Sequence, residues 1–119
     1  MNFKVSDGLV PCGNYRAKFI GSEELPPNKE HPDWGIGIKF KFEITGGVSH
    51  VGAIASTICG GKYPPSSRNR LGKTLAALHG GPLDPGQNVD DKSYIGRPYL
   101  ITVEATKNGG TTVGVIMPA

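Results

Sequence analysis

Three histidines, two cysteines and ten carboxylates are the side chains with which this 119-residue chain could do bond-making chemistry. His31, His50 and His79 are scattered and share no metal-ligand spacing. His31 and Asp33 are near neighbours, but they lie in an acidic run whose charges belong in water. Cys12 and Cys59 form no CxxC pair and read as two small buried thiols in a reducing compartment. No GxSxG, HExxH or phosphate-binding glycine loop occurs. Gly35-Ile36-Gly37 leads into an extended segment instead of a helix, so it is no dinucleotide fingerprint. The expectation is a non-enzymatic protein with no catalytic residue, no metal and no cofactor.

The cations carry a stronger pattern. The formal net charge is only +3, but it is unevenly placed. Residues 34–80 hold Lys39, Lys41, Lys62, Arg68, Arg70 and Lys73 against Glu43 alone. Residues 23–33 hold Glu23, Glu24, Glu30 and Asp33 against Lys29. A basic block of this kind suits a polyanionic partner, and equally serves solubility as a solvated face.

The elements that must position these charges are short and extended. Residues 13–22 alternate, with Tyr15, Ala17 and Phe19 on one side and Arg16 and Lys18 on the other, which predicts a half-buried strand. Residues 23–34 are polar and contain three prolines, so they predict a long loop. Residues 35–45 put Ile36, Ile38, Phe40, Phe42 and Ile44 on one face, with Lys39, Lys41 and Glu43 on the other. Gly46-Gly47 suits a tight hairpin, and residues 48–59 return as the partner strand. A two-residue turn would set Phe42 opposite Val51, Phe40 opposite Ala53 and Ile38 opposite Ala55, with Ile54 and Ile58 outward.

Ser66 or Ser67 is expected to cap a helix running to Leu78, with Leu71, Leu75 and Leu78 on one face, and Gly80-Gly81-Pro82 ends it. Residues 98–106 and 111–117 read as two further strands joined through an Asn-Gly turn. The chain is therefore expected to be all-β with one helix. The expected fold is one OB-type domain over residues 1–119, a five-stranded Greek-key barrel with its helix between strands three and four, with an open antiparallel sheet and one helix as the alternative. No stretch approaches a membrane span. Met1 to Val10 contains Asp7 and no apolar run, so it does not read as a secretory signal, and the cytoplasm is the expected location.

Such a barrel binds ligand across its second and third strands. That face would present Lys39 and Lys41 beside Arg16 and Lys18, four cations that call for an anion between them. Trp34 and Tyr63 are the candidate platforms for stacked bases, with plugging the barrel mouth and packing the loop as their alternatives. Lys62, Arg68, Arg70 and Lys73 would extend the backbone track, although Arg68 and Arg70 also suit the solvent face of a helix start. Single-stranded DNA is the expected partner, with RNA open. Exposed Ile54 and Ile58 would instead favour a self-associating module. A sugar-binding barrel would use Trp34 and Tyr63 but leave the cations idle.

In element order, residues 13–106 resemble the OB-fold single-stranded-DNA-binding proteins. More closely, the chain resembles a group of short phage-type proteins. The resemblance rests on Gly13, Tyr15, Ala17 and Phe19 as a GxYxAxF opening, Phe40 to Gly47 as FxFEITGG, Leu71 to Leu78 as LGKxLxxL, and Ile95 to Glu104 as IGRPYLITVE. It implies an accessory role in DNA replication or recombination.

Overall fold

The apolar alternation of residues 35–45 has one good use, a strand with one face in a core, and the computed structural model is built around that strand. It describes residues 1–3, 10–46 and 50–119. Five strands, β1 (Gly13–Leu25), β2 (Gly37–Gly46), β3 (Ile54–Gly60), β4 (Pro98–Ala105) and β5 (Thr111–Pro118), form one antiparallel sheet in the order β3-β2-β1-β4-β5. The helix α1 (Arg70–His79) lies between β3 and β4, as expected. No helix among the described residues is long and apolar enough to cross a membrane.

Phe19, Phe40, Phe42, Ile44, Tyr99, Ile101, Val103 and Val113 point from the strands into the core. Leu71, Leu75 and Leu78 of α1 close one side of it, the i, i+4, i+7 stripe read from the sequence. The Phe19 ring lies 5.5 Å from that of Phe42, and Phe42 meets Tyr99 edge-on at 6.1 Å. Tyr15 is half-buried against this core, its hydroxyl donating to the Pro11 carbonyl at 2.7 Å.

Tyr99 is fully buried and its hydroxyl donates to the Leu78 carbonyl at 2.6 Å, which ties β4 to the end of α1. Burial raises the Tyr99 phenol above its ordinary value of 10.0, partly opposed by the nearby Arg97 guanidinium. The folded chain thus holds this proton more tightly than the unfolded chain. Its contribution is fully present below the unfolded value of about 10 and is lost as pH rises through the higher folded one. Tyr99→Phe is therefore expected to lose about 1 kcal/mol near neutrality with the deleted hydrogen bond. It should also flatten the alkaline limb of a denaturation-versus-pH curve; a limb as steep as the parent's would place that transition elsewhere.

Several boundaries differ from the sequence expectation. β1 runs on to Leu25, so Glu23 and Glu24 belong to a strand and not to the loop. It does so through a bulge: Phe19 pairs with Phe42 and Gly21 with Lys41, leaving Ile20 as the extra residue. Gly21 has φ +126°, a backbone state that side chains rarely adopt. The β2–β3 register is Phe42 with Ala55, Phe40 with Thr57 and Ile38 with Cys59, four residues on from the tight-turn expectation. β3 starts at Ile54 because His50 to Gly52 still belong to the connection; the rest of the anticipated turn, Gly47 included, falls outside the described residues. A shift of four keeps the faces, so Ile54 and Ile58 do point outward and are exposed. Asn69, not Ser66 or Ser67, caps α1, its side-chain oxygen accepting from the Gly72 amide at 2.8 Å. Cys59 is buried as expected, but Cys12 lies ahead of β1, outside the packed layer, and is exposed.

The sheet curls far enough for its two edge strands to meet, yet no backbone ladder joins β3 to β5 among the described residues. Side chains span the seam instead. The Arg70 Nη2 donates to Thr57 Oγ1 on β3 at 2.6 Å and to the Val113 carbonyl on β5 at 3.1 Å. Thr112 Oγ1 reaches the Ser56 carbonyl at 3.4 Å.

Candidate nucleic-acid interface

The outward side of β1 and β2 is set by the same alternation that buries Phe19, Phe40 and Phe42. It presents Arg16 and Lys18 from β1 and Lys39 and Lys41 from β2, as the sequence suggested. The bulge at Ile20 adds an acid to this face. Past an extra residue the side-chain phase flips, so Glu23 turns outward and stands opposite Lys39.

Two of the four cations are consequently paired. Lys18 Nζ lies 3.0 Å from a Glu43 carboxylate oxygen, and Lys41 Nζ lies 4.0 Å from Glu23. Arg16 packs over Gly46 and, like Lys39, has no carboxylate partner among the described residues. Partly exposed ion pairs of this kind contribute about 0–1 kcal/mol each, so an incoming phosphate can compete for Lys18 and Lys41. The strip is positive, less so than the four cations alone would make it. β3 borders it with Ile58 opposite Lys39, Ser56 opposite Lys41 and Ile54 opposite Glu43.

The aromatic candidates come together at one end of this strip. Beyond the β2–β3 ladder the two chain segments stay in register: the Gly61 amide donates to the Ile36 carbonyl at 2.8 Å, and Gly35 packs against Lys62. The next residues outward are Trp34 and Tyr63, which therefore lie at the same end, or mouth, of the strand pair. Trp34 is 56% exposed and Tyr63 67% exposed, so neither is a core plug. Trp34 ends a short 3-10 turn, Pro32–Trp34, and its indole is stacked on the His31 ring at 4.0 Å with 5° between the planes. Sequence reasoning assigned His31 only to a solvated loop; its spacing of three from Trp34 across a Pro-initiated turn is the signal that was there. Lys62 Nζ lies 5.6 Å from the Tyr63 ring centre, within cation–π range.

Of the remaining candidates, Arg68 and Lys73 do not join the strip, whereas Arg70 lines a groove with Ser56 and Ile58 at its β3 border. Arg68 is exposed in the loop before α1, its amide bonded to Ser66 Oγ. Arg70 was expected to track a ligand backbone or point to solvent; it is exposed, with one guanidinium nitrogen bonded across the β3–β5 seam, because position N1 of α1 lies beside that gap. Lys73 is one helical turn away beside the same gap. No cluster of His, Cys, Asp and Glu able to hold a metal occurs among the described residues.

No family model matches the chain, and neither a curated protein nor a solved structure does.

Proposed function

We propose that this protein is an OB-type binder of single-stranded nucleic acid, in the first instance DNA, working in the cytoplasm as an accessory to replication or recombination as the phage-type resemblance implies. One observation carries the reading: two exposed aromatics, Trp34 and Tyr63, lie at one end of a strand pair whose outward face bears Lys39 and Lys41. Bases stack on exposed rings whatever their sequence, and phosphates follow cations. An extended strand entering at Trp34 and Tyr63 would run along Lys39 and Lys41 towards Lys18 and Arg16.

Fluorescence titration with a labelled poly-dT strand at two salt concentrations tests this. Binding is expected to weaken steeply with salt. Lys39→Glu combined with Lys41→Glu should weaken it further and shallow the log–log salt slope by about 0.7 for each phosphate left without its cation. Unchanged affinity and slope in that variant would remove this face from consideration.

The exposure of Ile54 and Ile58, with Leu100, Val115 and Met117 exposed on β4 and β5, favours a second reading as a self-associating module. Salt-insensitive association in sedimentation, without oligonucleotide binding, would support it over the first.

A further inference from the structure

Between α1 and β5 lies a cavity of about 280 Å³, near the small end of the range for ligand pockets. Its lining includes the cations Arg70 and Lys73, the hydroxyls Thr57 and Thr74, and apolar Val113 and Ile116. No carboxylate is among its lining residues, although that of Glu104 lies against Gly114, which is. A second cavity of about 300 Å³ lies on the other side of Arg70, and it too has no carboxylate in its lining.

Arg70 is exposed and held at one corner. Its Nη2 is engaged by Thr57 Oγ1 and the Val113 carbonyl, both neutral acceptors, and among the described residues it has no anionic partner. The Nη1 and Nε hydrogens have no acceptor among those residues. A planar guanidinium fixed at one corner, with its other donors free, is set up for two parallel bonds to an oxyanion. Thr57, only 2% exposed, holds that corner from below, and Lys73 supplies a mobile second charge from the same helix face.

We propose that this cavity is a phosphate-ester site, with Arg70 and Lys73 on the phosphate oxygens and Ala77 and Ile116 against the attached organic group. It is separate from the β1–β2 face: it lies across β3 from Lys39 and Lys41 and shares no residue with the aromatic mouth. The phosphate comes either from a free nucleotide or from a nucleic-acid backbone that wraps past β3.

The test is an amide chemical-shift titration of the intact protein with inorganic phosphate, with 5′-dTMP and with an oligo-dT strand. Saturable shifts at Thr74, Val113 and Gly114 are expected with phosphate and dTMP, and Lys73→Gln should weaken them about tenfold or more, as removal of one charge-assisted hydrogen bond implies. Lys73 makes no contact that the fold relies on, so this variant keeps the test valid even if Arg70→Lys disturbs the seam. Shifts at these amides with oligo-dT as well identify a backbone as the source; shifts with dTMP alone identify a free nucleotide. Absence of saturable shifts with phosphate and dTMP, or equal shifts in Lys73→Gln, would overturn the site. The Lys39→Glu with Lys41→Glu variant should retain the dTMP shifts, which separates failure of this site from failure of the strand-binding face.

Discussion

Gly72→Ala is expected to destabilise the protein by about 3 kcal/mol, although helix propensity alone argues for a gain of about 1 kcal/mol from that change. Gly72 is the third residue of α1, and the chain segment before the helix folds back onto it. A methyl group there would overlap the Ser66 carbonyl oxygen and press on the Ser66 amide nitrogen. Both are backbone atoms, so no rotamer change relieves the clash. The loop must move, and it is held by Asn69: Oδ1 accepts from the Ser66 and Gly72 amides, and Nδ2 donates to the Pro64 carbonyl. Overpacking costs about 1–3 kcal/mol and loss of a cap about 1 kcal/mol more. For a chain of this size the thermal midpoint should fall by about 10 °C, readable by circular dichroism. A midpoint unchanged or raised would mean that the 64–69 loop does not sit against α1.

Trp34→Ala should weaken single-strand binding about tenfold or more, and Trp34→Ala with Tyr63→Ala by about the product of the two effects, since stacking contributes about 1–3 kcal/mol per base. The two effects add in free energy when each ring stacks on its own base. Stacking is also distinguishable from charge. Removing the rings should lower affinity equally at all salt concentrations, whereas the lysine variants change the salt slope. Both rings are exposed, so thermal stability should hardly change. Poly-dT titrations of the single and double variants at two salt concentrations measure both effects. Full affinity in the double variant would exclude the mouth as a stacking site.

Much of the framework was legible because it depends on parity. Alternation in 35–45 names the buried phenylalanines of β2 whatever the turn length, and a register error of four residues left every face assignment in place. The leucine stripe of α1 was readable for the same reason, as periodicity survives a misplaced cap. What escaped the sequence were events of single residues. The bulge at Ile20 flips the phase of β1 and brings Glu23 from an apparent loop onto the cationic face. Nothing in a polar stretch with no apolar rhythm marks such a flip; Gly21 was the local hint. The seam bonds of Arg70 escaped for a different reason, since what the first residue of a helix can reach depends on where the helix docks.

A wall joined by side-chain hydrogen bonds, from Arg70 and Thr112, opens differently from a wall of paired strands. β3 and β5 contain no charged residue, so once these few bonds break, two neutral ribbons with unmet amides and carbonyls stand ready to accept each other from neighbouring molecules. The weak point of this protein under heat or crowding is thus a door that Arg70 and Thr112 hold shut, and concentrated solutions should turn to intermolecular sheet before the aromatic core melts.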